Sequence, residues 1–278
     1  MKVAVFSREI TQERLVTFER LGSLLREGGA QLFFCGPAFH EHRELPTDAD
    51  IVLSLGGDGT FLDAVTAVRD RAIPVAGINF GRLGFLTTAQ IGNSIADLAR
   101  DILERRFAVE TRDLLKVSGR SVPKGFYPYA VNEITLHRQG ASMLSISISV
   151  DGKPLPTYWA DGIVIATSTG STAYSLSVGG PVALPSSKVL IIAPIAPHNL
   201  NVRPLVVPDD SSFTLNFDTR DREARLTLDN RSFPVEAGES FSIVKGEYGF
   251  RYAALSHDSF ISALRTKLFW GEDLRNSR

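Results

Sequence analysis

One cysteine in 278 residues, Cys35, excludes a disulfide framework and points to a reducing, cytoplasmic home. It ends the apolar run Gln31–Cys35, where a buried, inert thiol is expected. Charge of one sign is equally scarce: 30 Lys and Arg stand against 31 Asp and Glu, a net charge of −1. That balance gives no electrostatic footprint for nucleic acid. No apolar run reaches membrane-spanning length, and MKVAVFSREI meets Arg8 and Glu9 before a signal-peptide core could form. The G-x-G-x-x-G fingerprint, the Walker A loop and the G-x-S-x-G elbow are all missing. His40-Glu41-His42 has no partner ligands at zinc spacing and suits a solvated loop. What is left is an ordinary globular composition, 44% apolar and 22% charged, long enough for about two domains.

The chain is organised around Ile51–Thr60, IVLSLGGDGT. Ile51–Leu55 is a nearly unbroken apolar run, as in a strand buried on both faces of a parallel sheet. Two glycines follow, then Asp58, Gly59 and Thr60. Phe61, Ala64, Val65 and Val68 recur next at helical spacing. Strand, glycine turn and helix together bring free N–H groups and a helix N-terminus to an anion, through Gly56, Gly57, Gly59 and Thr60. Asp58 does not fit a plain phosphate cradle, because a carboxylate repels phosphate. It suits a metal ligand or a base that takes a proton from an attacking hydroxyl. It equally suits a simple helix cap, and the decapeptide does not choose.

Around this centre the first third alternates strands and helices. Lys2–Ser7, Gln31–Cys35 and Ile73–Ile78 are strand-like. Leu15, Phe18, Leu21, Gly22 and Leu25 mark a helix face that Gly28-Gly29 would end. Ser94 opens another helix, with Asp97 placed for a capping box and Ile95, Leu98 and Ile102 on one face. The pattern predicts a doubly wound parallel α/β domain, with ligands outside the carboxyl ends of its strands. After Phe107 the period changes to two. Leu144–Val150 alternates strictly and runs into the hairpin turn Asp151-Gly152. Gly162–Thr167, Val189–Ile195, Phe213–Phe217, Ala224–Leu228 and Phe241–Val244 continue a mostly β region. Asp258–Trp270 returns to helical spacing. The expected domains are 1–106 with 257–278, and 107–256.

Three further stretches carry chemistry. VNEITL (131–136) sets Asn132 and Glu133, poor strand formers, inside a strand-like run. An amide both donates and accepts, and a carboxylate accepts from paired ribose hydroxyls or holds a cation; a solvated strand-edge bulge explains the pair as well. Asp161-Gly162 stands at the mouth of a strand, as a turn or as a carboxylate for a carboxamide or ribose hydroxyl. TSTGSTAYSLSVGGP (167–181) is rich in hydroxyls and glycine yet follows a buried strand, unlike a linker. Gly170-Ser171 ahead of Thr172–Leu176 reads as an N-capped helix start, with the Tyr174 ring available to a base.

With these pieces in order, the chain resembles the NAD kinase family, which phosphorylates the 2′-hydroxyl of the adenosine ribose of NAD. The resemblance rests on LGGDGTFL (55–62), NFGRLGFL (79–86), VNEITL (131–136), DGIVIATSTGSTAYSLSVGGP (161–181) and PIAPH (194–198). GGDG alone is shared with diacylglycerol, sphingosine and 6-phosphofructo kinases; the 161–181 stretch is far more specific. The family implies a Rossmann-like α/β domain, then a mostly antiparallel β-sandwich domain, with the C-terminal helix returning to the first. It implies ATP as donor, Mg²⁺ or another divalent metal, and a homodimer or homotetramer. By resemblance, Asp58 is the catalytic acceptor of the 2′-hydroxyl proton and Gly59 its NAD-contacting neighbour. Asn132 and Glu133 fall at the adenosine ribose and Asp161 at the nicotinamide end. Thr172, Ala173, Tyr174, Ser175, Leu176 and Ser177 wrap the adenine part, with Ala196 nearby, and Phe85 lines the nicotinamide side.

Two departures touch the contacts more than the reaction. Many members carry a basic or hydrogen-bonding residue just before the matched Asp, where this chain has Trp159 and Ala160. Many have a basic or His residue four or five places after the catalytic Asp, where this chain has Asp63. A lipid or sugar kinase using the same GGDG turn is the enzyme alternative, and it leaves 161–181 unexplained. A non-catalytic NAD(P)-binding module is the other, and it leaves Asp58 with the Asn132-Glu133 pair unexplained.

Overall fold

The computed structural model describes residues 1–9, 11–39, 44–79, 84–87, 89–90, 95–255 and 260–270. His40-Glu41-His42, the middle of NFGRLGFL, the helix-opening Ser94 and the expected start of the last helix at Asp258 lie outside the described residues. The chain divides into two units, Met1–Thr111 with Phe250–Arg278, and Arg112–Gly249.

In the first unit a sheet runs in the order Gln31–Cys35, Lys2–Phe6, Ile51–Leu55, Val75–Asn79, Phe250–Ala254, Ala108–Arg112. The pairings among its first five strands are parallel. Every residue of Ile51–Leu55 and of Val75–Asn79 is buried, which is why both read as continuous apolar runs. Helices Gln12–Glu27 and Ile95–Leu103 cover the sheet through Leu21, Leu25, Leu98 and Ile102. Gly28 ends the first helix as expected, its N–H bonding back to Leu24. The glycine turn opens the helix Asp58–Val68, which buries Phe61 against Phe250 and Tyr252 at ring distances of 6.0 and 5.8 Å. The last helix, Phe260–Leu268, belongs to this unit and meets the Phe85 ring through Phe260.

The second unit holds two antiparallel sheets around one core. One sheet contains Leu144–Val150, Phe213–Asp218, Ser240–Lys245 and Leu115–Gly119; the other runs Leu205–Pro208, Val189–Ile195, Gly162–Thr167, Glu133–Arg138, Glu223–Leu228, Arg231–Glu236. Ile146, Ile148, Leu215, Phe217 and Phe241 from the first pack with Ile134, Leu136, Ile163, Ile165 and Leu226 from the second. This is a β-sandwich. Asp151 and Gly152 both take positive φ, 50° and 74°, the turn that the right-handed strand twist favours.

The structure differs from the sequence expectations in the strands that lack a clear period. Arg231–Glu236 contains Pro234, which a central strand would reject, and it lies at a sheet edge. Phe250–Ala254 was expected in the β region; it inserts parallel to Val75–Asn79 in the α/β sheet. The expected boundaries at 106/107 and 256/257 therefore differ by a few residues from the observed 111/112 and 249/250. The expected helix over Thr172–Leu176 is a 3₁₀ turn, Thr169–Thr172, followed by a single α-turn, Tyr174–Ser177. Ser171 does not cap it. Its hydroxyl donates to the Ala183 carbonyl at 3.1 Å and accepts the Ala183 N–H at 3.0 Å.

Candidate active site

In the first unit the local chemistry is set by Gly56. Its φ of +153° lies near the edge of what an L side chain tolerates, and a Cβ there would stand 2.5 Å from Thr60 Oγ1. Its N–H donates to Ile78 O at 2.9 Å, which ties the turn to the neighbouring strand. Gly57, exposed and extended, is the helix N-cap, so Asp58 is the first helical residue and not the cap. Its carboxylate turns instead to the loop at 85–87. Oδ2 accepts the Phe85 N–H at 2.9 Å. Oδ1 accepts three donors: Leu86 N–H at 3.2 Å, Thr87 N–H at 3.1 Å and the Thr87 hydroxyl at 2.9 Å.

Two cations stand near the glycine turn and its carboxylate: Arg8 against Gly59, and Lys267 within reach of the Asp58 charge. Arg8, just past the first strand, forms an ion pair with Asp63, and its Nη1 would lie 3.0 Å from a Cβ on Gly59. The acidic departure at Asp63 thus holds a basic group against the glycine turn. Lys267, from the last helix, stands 4.3 Å from the Phe85 ring centroid. Burial pulls its ammonium below the usual lysine range, and the charge of Asp58 pushes the other way. Sequence pattern alone could not find Arg8, Thr87 or Lys267, because each reaches the turn from a distant part of the chain. Cys35 is buried, and burial pushes its thiol up, as expected of an inert cysteine.

In the second unit Asn132 and Glu133 are each only 8% exposed, which removes the solvated-bulge alternative. Glu133 opens the central strand Glu133–Arg138 opposite Ala166. The hydroxyl-rich segment is knitted to it. Thr167 N–H donates to Asn132 O at 2.9 Å, and Thr167 Oγ1 donates to Val131 O at 2.7 Å. A Cβ on Gly170 would overlap the Asn132 carbonyl, so this close approach requires glycine. Among the described residues the buried Ser175 Oγ has no hydrogen-bond partner, and Tyr174 is exposed. Glu133 is pushed up to about 8, by burial first and then by the charge of Asp229.

Asp161 and Ala196 are elsewhere. Gly162 pairs with Ile195 at one end of the strand Gly162–Thr167, and Ala166 pairs with Glu133 at the other. Four residues at about 3.4 Å each separate the two ends by roughly 14 Å. Asp161 pairs with Arg138, Oδ1 to Nε at 2.6 Å. The basic group absent at Trp159 and Ala160 is therefore supplied from the neighbouring strand. Ala196 takes a φ of +44°, a left-handed conformation that costs a non-glycine residue energy and recurs at functional sites.

A carboxylate on the first residue of a helix, at the glycine turn that closes a parallel strand and with two cations near that turn, is the layout of a phosphoryl-transfer enzyme. Residues 38–107 match the ATP-NAD kinase N-terminal domain, and residues 131–255 the ATP-NAD kinase C-terminal domain. An NAD kinase of Flavobacterium psychrophilum is 42% identical over 86% of this chain and 82% of its own. One from Bacteroides fragilis is 38% identical over 99% of this chain and 100% of its own. Among solved structures, an NAD kinase from Archaeoglobus fulgidus in complex with ATP superimposes with a TM-score of 0.80 at 26% identity, covering 97% of this chain and 99% of that one. Yeast NADH kinase complexed with NADH gives a TM-score of 0.84 at 22% identity, over 100% and 90% of the two chains, and supports the fold. The chain belongs to the NAD kinase family.

Proposed function

We propose that this protein transfers the γ-phosphoryl group of ATP to the 2′-hydroxyl of the adenosine ribose of NAD, giving NADP. The observation that carries the proposal is the uneven load on Asp58. Three donors occupy Oδ1 and one occupies Oδ2, so Oδ2 retains a lone pair for an incoming hydroxyl. The loop at 85–87 holds that oxygen in place, and Asp58 takes the proton as the ribose oxygen attacks phosphorus. Gly56, Gly57, Gly59 and Thr60, with Arg8 and Lys267, face the transferring group's negative charge. Asn132 and Glu133 bind the adenosine ribose, and Thr172–Ser177 wrap the adenine. Asp161 and Ala196 meet a more distant part of the dinucleotide, and Phe85 lines the nicotinamide side. Two clusters at opposite ends of one strand suit a ligand of that length. Choice of the 2′- over the 3′-hydroxyl is positional, since their acidities are similar.

Among the described residues no three His, Cys, Asp or Glu gather to hold a metal, and the lone pairs of Asp58 are mostly taken. The divalent cation is proposed to arrive on the triphosphate, where it neutralises phosphate charge. The same proposal takes the protein as a cytoplasmic homodimer or homotetramer. Among the described residues no helix is long and apolar enough to cross a membrane. Exposed Leu205 and Val206 on an edge strand offer apolar surface to another copy.

A coupled assay for NADP formation on purified protein, with ATP, Mg²⁺ and NAD, tests the function. Steady turnover is expected. No turnover with NAD, but label transfer from ATP to a lipid or sugar, would favour the other GGDG kinases. No transfer to any acceptor would leave a binding module.

A further inference from the structure

Asp229 is half-buried in the turn between strands Glu223–Leu228 and Arg231–Glu236, at a φ of +54°. Its carboxylate accepts the N–H groups of Val131 at 2.8 Å, Asn132 at 2.7 Å and Glu133 at 3.3 Å. Its own N–H donates to Glu133 O at 3.0 Å. Four hydrogen bonds from one residue thus fix the backbone that carries the amide and the acid of the acceptor site.

The Glu133 carboxyl, which feels the charge of Asp229, has far less support. One donor, the Tyr174 N–H, favours its charge, and among the described residues its buried Oε2 has no hydrogen-bond partner. The strand Gly162–Thr167 beside it carries no ionisable side chain, and the 169–177 segment brings only Tyr174. From the hairpin come Asp229 and, beside it, Arg231, whose guanidinium donates to the Tyr127 and Tyr129 carbonyls. Burial pushes both carboxyls up. The charge of Asp229 adds to burial in raising Glu133, and neighbouring like charges disfavour each other's ionisation. Three amide donors and Arg231 favour the charge on Asp229, and the orphaned oxygen favours the proton on Glu133.

We infer that Asp229 is a positioning residue of the acceptor site, and that by keeping the pair's single charge it makes Glu133 meet the ribose as a neutral acid. This rests on the proposed place of Glu133 at the adenosine ribose. A neutral acid both donates and accepts, as a ribose diol does, whereas a carboxylate only accepts. It also tolerates the product, whose new 2′-phosphate an ionised Glu133 would repel.

The first test needs no ligand. Between the ordinary Glu range and about 8 the folded chain holds a proton that the unfolded chain releases, so stability falls as pH rises across that window. Thermal unfolding from pH 5 to 9 is expected to show this decline in the wild type and to lose it in Glu133→Gln. The second test is kinetic. The kcat/KM for NAD should break downward near pH 8, and Asp229→Asn should move that break to lower pH by about one unit or more while raising KM more than it lowers kcat. Identical pH–stability slopes in wild type and Glu133→Gln overturn the inference. So does an unmoved break in a folded Asp229→Asn; where that variant does not fold, the Glu133→Gln comparison decides alone. The expected slope difference in a protein that makes no NADP would instead remove the kinase proposal and leave the protonation standing.

Discussion

Gly84 approaches Asp58 so closely that a Cβ added to the glycine would overlap Oδ1 of the carboxylate and Oγ1 of Thr87. The glycine leaves room for the loop whose N–H groups hold the acid. Gly84→Ala should push either the loop or the carboxylate aside by about 1 Å, a displacement that can cost about 10²-fold in rate. The expected result is a kcat lower by that order with a much smaller change in NAD affinity, measured by steady-state kinetics and calorimetry. A kcat within twofold of wild type would mean that the chemistry does not depend on where this loop holds Asp58.

Asp58→Asn separates the base from its setting. The amide oxygen can keep the donors now on Oδ1, but the new NH₂ would face the Phe85 N–H. That costs about 1 kcal/mol of stability, a small shift in unfolding midpoint. Loss of the base should lower kcat at least about a hundredfold while NAD still binds. Near wild-type turnover in a folded variant would take Asp58 out of the mechanism.

Much of this was legible in the sequence, and the gaps have physical causes. Ile51–Leu55 and the glycine turn announce themselves because burial on both faces and a tight turn each impose composition locally. Leu144–Val150 does so through its period. Phe250–Ala254 hides, because a strand of mixed character gains its parallel partner, Val75–Asn79, from a distant part of the chain. Asp58, Asn132 and Glu133 stand out as polar residues in the wrong company. Their partners do not: Thr87, Asp229 and Arg138 are ordinary in their own stretches and matter only through contacts that the fold creates.

Arg8 tests the donor side. Its guanidinium is paired with Asp63 and stands against Gly59. Hydrogen bonds to a charged group are worth about 1.5–3 kcal/mol, so Arg8→Ala should raise the KM for ATP about tenfold or more. The KM for NAD should stay near its wild-type value, and Arg8→Lys should recover part of the loss, because lysine keeps the charge without the fork. An equal effect on both substrates would argue for a disturbed turn and against a phosphate contact.

Phe61 links the catalytic helix to the strand that arrives last in sequence. It is wholly buried between the rings of Phe250 and Tyr252. Phe61→Ala should cost about 3–5 kcal/mol, since the fixed strands on either side cannot close the cavity. Urea unfolding should register that loss. A change below about 1 kcal/mol would mean that the neighbouring rings collapse into the space.

Asp50 ties the organising strand to the start of the chain. Its carboxylate accepts the Lys2 N–H at 2.7 Å and pairs with Arg105 at 2.6 Å. The Lys2 N–H first, and Arg105 after it, hold the acid below the usual carboxylate range against the opposing effect of burial. A folded value below the unfolded one means that the unfolded chain binds more protons in the window between them. The stabilisation is therefore complete above the ordinary Asp range, near 3.9, and fades as the pH falls toward the folded value. Asp50→Asn should be less stable than wild type at pH 7, and the gap should narrow in urea titrations near pH 3. A gap that stays constant down to pH 3 would mean that shape, and not charge, is what Asp50 contributes at the first residue before the strand.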